Sequence, residues 1–239
     1  MGQQQSAAAL IGLDWGTTSL RAYRIAATGA VLERREAARG ILSVAGGAFA
    51  DALAEVAGDW LAAEPGVPVL ASGMIGSRQG WREVPYADCP VGAAELARGF
   101  AEVAGPGDRT VRIAPGLLAR DAGGVPDVMR GEETQILGEI AAHGVTSGRF
   151  VLPGTHSKWA TAEAGRILSF ATYMTGEVFD VLRRHSILGR LMRDAAPHDP
   201  DAFRRGLDRA RAPEPEGTAV GGGRLLHDLF GARTLGLAG

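Results

Sequence analysis

The sequence predicts an α/β fold built in two lobes, on three observations. Apolar runs at Leu10 to Asp14, Leu20 to Ile25 and Ala30 to Arg35, separated by turn residues, read as three antiparallel strands. A segment of helical period from Gly47 to Ala63, then a buried run from Val67 to Ala71, adds the helix and strand of a layered α/β protein. The opening pattern of strand, Gly-Thr turn, strand, turn, strand returns near residues 149 to 171.

Bulk properties narrow the function classes. A chain of 239 residues with 46% hydrophobic and 22% charged content is that of a globular protein with a real core. The 25 basic and 27 acidic residues give a formal net charge of −2, so no electrostatic footprint for nucleic acid is present. Cys89 is the single cysteine, which excludes an internal disulfide framework and a cysteine-based zinc cluster. No run approaches the roughly 20 apolar residues that span a bilayer, and the start lacks a basic signal region. The expectation is a cytoplasmic protein with neither membrane nor nucleic acid as partner.

The first hairpin carries chemistry at its tip. Asp14 ends the first strand, and Gly16, Thr17 and Thr18 make the turn. Glycine lets backbone approach a ligand, the following amides and hydroxyls suit phosphate oxygens, and the aspartate suits a hydrated cation. An ordinary turn made by Asp and Thr would have the same composition.

After the helix from Gly47 to Ala63, closed by Pro65-Gly66, the strand Val67 to Ala71 runs into Ser72-Gly73-Met74-Ile75-Gly76-Ser77-Arg78-Gln79-Gly80-Trp81. A loop at the carboxyl end of an α/β strand is a common ligand position, and Arg78 could hold a carboxylate while Gln79 or the serines read hydroxyls. A glycine-rich surface turn with a half-buried Trp81 is the plainer alternative. Cys89 reads as a packed thiol. Ala93 to Val103 reads as a helix and Thr110 to Ala114 as a strand.

Pro126 and Asp127 precede a helix whose start holds Arg130 to Gln135, placing Glu132 and Glu133 where carboxylates serve acid–base work or merely complement the helix dipole. Gly144 to Gly148 has the composition of a boundary, dividing the chain at residues 1–145 and 146–239. Behind it, Gly154, Thr155, His156, Ser157 and Lys158 repeat the polar turn, with the chain's single lysine at its end. Two such turns can offer amides and hydroxyls to one phosphate chain. Either Lys158 or His156 could instead be a solvated edge residue. Thr175 reads as the cap of a helix continuing to Leu188, His185 as structural, 197 to 217 as an exposed excursion around a helix from Asp199 to Ala210, and Arg224 to Phe230 as a last helix before an ending with no closing element.

Five segments, Gly12 to Thr18, Ser72 to Trp81, Met129 to Gly138, Leu152 to Trp159 and Tyr173 to Glu177, occur in the order found in the 2-dehydro-3-deoxygalactonokinase family, which the chain resembles over nearly its whole length. The first hairpin alone is shared with other sugar kinases, chaperone ATPases and actin; the set of five is specific. The resemblance implies a two-lobed actin-like ATPase (ribonuclease H-like) fold. It also implies ATP-dependent phosphorylation of 2-dehydro-3-deoxy-D-galactonate at the 6-hydroxyl, in galactonate or galactose breakdown.

By that resemblance, Gly16, Thr17 and Thr18 form the first phosphate turn, Gly154, Thr155 and Ser157 the second, and Lys158 neutralises phosphate charge. Asp14 makes the magnesium contact through water. Ser72, Gly73, Met74, Ser77, Arg78, Gln79 and Trp81 belong to the sugar-acid site. Glu132 is the expected base, Glu133 its reserve and Asp14 a third candidate. Family chains continue by a few dozen residues past the point matching Gly239, so the resemblance implies a second lobe that is incomplete here, lacking a glycine-rich turn near adenosine. Apolar surface left open would favour instability or association, a homodimer being one form of the latter. An inactive sugar-acid-binding protein and a general ATPase with a protein partner are the competing readings; the Ser72 to Trp81 loop speaks against the latter.

Overall fold

The computed structural model describes residues 7–192, 199–212 and 224–238. Close contacts divide the chain into two compact units, Met1–Pro153 with Ser157–Tyr173, and Gly154–His156 with Met174–Gly239.

The first unit is α/β, as expected. Strands β1 (Leu10–Trp15), β2 (Leu20–Ile25) and β3 (Val31–Ala37) form an antiparallel meander. Alternation explains its faces: Ile11, Leu13, Trp15, Leu20 and Ala22 point to the core, while the residues between them stay half-exposed. Helix α1 (Phe49–Ala63) buries Phe49, Leu53, Val56, Ala57, Trp60 and Leu61 on one face, each large side chain contributing roughly 1.5–3 kcal/mol. Strand β4 (Val69–Ser72) then lies parallel to β1, bringing Asp14 opposite Ser72. The short strand β5 (Ala87–Asp88) and helix α2 (Ala93–Arg98) follow.

One expected helix is two elements. The segment Ala93 to Val103 breaks at Gly99, which ends α2, and Ala101–Ala104 is strand β6. The tetrad Ala-Glu-Val-Ala fits either period, and pairing with β7 (Thr110–Ile113) decides it. The completed sheet has the order β3-β2-β1-β4-β7-β6, with β1, β4 and β7 parallel. Their carboxyl ends therefore lie side by side.

Strands β8 (Leu117–Arg120) and β9 (Pro126–Met129) form a hairpin that the sequence reading left unassigned, and with β5 they make a small sheet. Helix α3 (Glu132–His143) starts at the expected glutamates. The second predicted meander is present as β10 (Gly148–Leu152), β11 (Ser157–Glu163) and β12 (Arg166–Tyr173). Leu117, Met129, Ile136, Ala160, Ile167 and Phe170 join these elements in a second apolar cluster. Cys89 packs at its margin, where burial pushes its thiol up to about 11 and removes it as a nucleophile at neutral pH.

The second unit holds α4 (Thr175–His185), α5 (Pro200–Arg211) and α6 (Arg224–Ala238). The cap of α4 is Met174, not Thr175, whose hydroxyl instead donates to Gly154 O at 3.4 Å. Asp199 caps α5 as a side-chain acceptor for two amides at 2.9 Å. The final helix runs eight residues beyond the expected Phe230, to Ala238. Prolines 197, 213 and 215 and the triplet Gly221-Gly222-Gly223 lie outside the described residues. Among the described residues no helix is long and apolar enough to cross a membrane.

Candidate active site

Three backbone segments converge at the carboxyl end of the parallel strands, and two glycines allow it. Gly73, at φ 97°, follows β4; a Cβ there would stand 2.9 Å from Trp15 O and 3.5 Å from an Asp14 carboxylate oxygen. Gly131, at φ 113°, precedes α3; a Cβ there would stand 3.3 Å from the Cα of Gly73. Both positions require a left-handed backbone and a close approach, so glycine is dictated twice over. Asp14, Ser72-Gly73 and the start of α3 thus form one cluster.

The first turn closes through Gly16 N to Ser19 O at 2.9 Å and leaves Thr17 and Thr18 exposed. It is braced from behind: Ile41 N donates to Gly16 O at 3.0 Å and Leu42 N to Thr17 O at 3.2 Å. Gly40 lies so close that a Cβ would overlap Thr17 O and Thr18 N. Two carbonyls of the turn are thus held on one side. Asp14, half-exposed, accepts from Arg21 Nη1 at 3.1 Å, and Arg21 is shared with Glu36.

The loop after β4 is stitched to itself by Gly76 N to Gly73 O, Ser77 N to Met74 O, Gly80 N to Ser77 O and Trp81 N to Ile75 O, at 2.9–3.1 Å. Arg78 and Gln79 are exposed at its tip, and among the described residues Arg78 makes no ion pair. Met74 is half-buried against the core, and the Ser77 hydroxyl is buried without a partner among the described residues. Trp81 anchors the loop inward, in an aromatic group with Trp15 and Phe49.

At the start of α3 the two glutamates differ. Glu132 turns back to accept from Arg130 N at 3.1 Å. Glu133 is fully buried; it accepts from Gly131 N at 2.6 Å and from the Thr134 hydroxyl at 3.1 Å, with Ser72 Oγ at 3.4 Å. Burial pushes its carboxyl up to about 7, against the opposing effect of those hydrogen bonds. The Ser72 and Thr134 hydroxyls are themselves 2.8 Å apart.

The residues of the second turn fall in different units. Gly154, Thr155 and His156 sit on the start of α4: Glu177 N donates to Thr155 O at 3.1 Å, His156 pairs with Glu177, and Gly176 leaves no room for a Cβ beside Gly154 O. Ser157 and Lys158 begin β11 and are buried. Lys158 Nζ donates inward, to Val128 O at 2.6 Å and to the Thr172 hydroxyl at 2.7 Å, which in turn donates to Asp127 at 2.5 Å. These hydrogen bonds lie within the β9, β11 and β12 region.

Sequence reasoning placed Asp14, the glycine-rich loop and the glutamates correctly beside strand and helix ends, but missed Gly40, Gly131 and Thr134. Gly40 has an ordinary φ of −64°, and only the fold reveals its contact. Gly131 directly before a predicted helix was a usable signal.

A profile of the 2-keto-3-deoxy-galactonokinase family matches residues 14–239. A Rhizobium meliloti protein assigned as a 2-dehydro-3-deoxygalactonokinase is 40% identical over 227 residues, 92% of this chain and 73% of its own length. The Escherichia coli 2-dehydro-3-deoxygalactonokinase is 38% identical over 199 residues, 83% of this chain and 64% of its own. A crystal structure of a Sinorhizobium meliloti protein assigned the same activity superposes with a TM-score of 0.69 at 37% identity, covering 96% of this chain and 82% of that one. The chain belongs to the 2-keto-3-deoxy-galactonokinase family.

Proposed function

We propose that the chain is a cytoplasmic sugar-acid kinase that transfers the γ-phosphoryl group of ATP to the 6-hydroxyl of 2-dehydro-3-deoxy-D-galactonate, in galactonate breakdown. Family membership carries the reaction class, and the Asp14, Gly73 and Gly131 cluster supports where it happens.

In the forward step the sugar oxygen attacks the γ-phosphorus, the bond from that phosphorus to the bridging oxygen breaks, ADP departs, and the hydroxyl proton goes to a carboxylate. Glu133 is the proposed acceptor. Its environment poises it near neutrality, where a general base works best, and the half-buried Thr134 hydroxyl leads out from it. Glu132, the base expected from the sequence, instead accepts from Arg130 N with its carboxylate. Gly16, Thr17 and Thr18 offer amides and hydroxyls to phosphate oxygens, and Gly154 and Thr155 do so from the second turn. Ser72 to Trp81 receive the sugar acid, with Arg78 at the exposed tip free to meet its carboxylate.

No cluster of three or more metal-ligating side chains occurs among the described residues, and a half-exposed Asp14 beside a phosphate turn fits magnesium held through water and phosphate. When bound, magnesium would supply charge neutralisation on the transferring group. A coupled ADP-release assay with the keto-deoxy galactonate, its gluconate epimer and no acceptor tests the reading. Turnover only with sugar acid is expected. Binding without turnover would indicate a sugar-acid-binding protein, and acceptor-independent hydrolysis a general ATPase.

A further inference from the structure

Arg130, between β9 and α3, has an unusual set of partners. Its Nη2 donates to Val84 O at 2.8 Å, and its guanidinium lies over the Tyr86 ring, 4.4 Å from the centroid. Among the described residues Nε and Nη1 are buried without acceptors and Arg130 makes no ion pair. Taking a guanidinium from water with no counter-ion costs several kcal/mol, a cost an apolar side chain would avoid. The contacts made in return all run to one segment: Val84, Tyr86 and Gly76, where a Cβ would stand 2.8 Å from Nη1. Val84 N also donates to Gly76 O at 2.9 Å, so the guanidinium closes the base of the loop that starts at Gly73.

The backbone of the same residue leads to the carboxylates. Arg130 N holds Glu132, and the next amide, Gly131 N, holds Glu133. We infer that Arg130 is a positioning residue that sets the shape of the Gly73 to Tyr86 loop and keeps it in register with the carboxylates at the start of α3. It acts on sugar-acid binding through the loop, without touching substrate. Its consequence for catalysis rests on the proposed function; its structural part does not.

Arg130→Lys and Arg130→Gly, the latter with and without low millimolar guanidinium, test this through two readouts. In Arg130→Lys the KM for sugar acid should rise ~10- to 100-fold, while the KM for ATP stays within about twofold. Trypsin should cut faster after the exposed residues Arg78 and Arg82 in both variants, and guanidinium should slow that cutting and restore KM in Arg130→Gly. Unchanged KM and unchanged cutting in Arg130→Lys would overturn the inference. So would equal rises in both KM values with no guanidinium rescue, which is plain loss of folding support. Should Arg130→Gly fail to fold, Arg130→Lys decides alone. A wild-type chain without turnover would sink the kinase reading, and the proteolysis comparison would still judge Arg130.

Discussion

The indoles of Trp15 and Trp81 meet edge to face, 6.1 Å between centroids at 73°, and join the strand before the Gly16 to Ser19 turn to the end of the Ser72 to Trp81 loop. Trp15 Nε1 donates to Arg39 O at 2.7 Å, one residue before the glycine that braces Thr17 and Thr18. Trp81 also stacks on Phe49 at 6.0 Å. Trp81→Ala should destabilise the fold by ~3–5 kcal/mol, and Trp81→Phe should cost less while raising KM for sugar acid. Denaturant unfolding and steady-state kinetics on both variants read the two effects. A Trp81→Phe variant with wild-type kinetics would mean the loop does not depend on this anchor.

Gly40 is predicted to matter to ATP and not to sugar acid. A methyl group at Gly40 must displace Thr17 O or Thr18 N. In Gly40→Ala the KM for ATP should increase ~10-fold or more, with sugar-acid binding retained by calorimetry. Equal loss of both affinities would point to general unfolding.

Glu133 links rate and stability to pH. Its folded value, about 7, lies above its ordinary 4.5, so the folded state keeps a proton that the unfolded state has released. The stability this gives is full below pH 4.5 and is lost as pH rises through 7, on the order of 3 kcal/mol in all. Glu133→Gln should flatten that part of the stability profile and lower kcat by ~10²–10⁴. In the wild type, kcat should rise with pH through about 7 as the carboxylate ionises. A kcat that ignores this substitution would return the role to Glu132 or Asp14.

Lys158→Met should leave Val128 O and the Thr172 hydroxyl without their donor. The expected loss is ~1–3 kcal/mol of stability, with KM for ATP little changed. A large rise in that KM with unaltered thermal unfolding would instead support the phosphate role that the sequence suggested.

Much of this arrangement was legible before the fold was known. Alternation in Leu10 to Ile25, the helical face from Phe49 to Leu61 and paired glutamates after Pro126 are local signals, and local signals coincide with burial there. Ala101 to Ala104 was not legible, because four residues satisfy either period until β7 pairs with them. The fate of Lys158 was hidden for a different reason. Its acceptors come from residues 30 and 14 positions away, and a lone lysine after a polar turn looks alike whether it faces phosphate or threonine. Gly40 gave no sign, since its tight contact depends on tertiary packing and not on its own conformation.

Because Gly73 packs against the Trp15 carbonyl on one side and Gly131 on the other, the spacing between the end of β1 and the start of α3 is set by backbone geometry. Substitution of side chains cannot lengthen or shorten it. On the proposed function, tolerance of a longer, shorter or epimeric acid is then expected at the exposed tip, at Arg78 and Gln79. The site divides into an adjustable ruler and a fixed gauge.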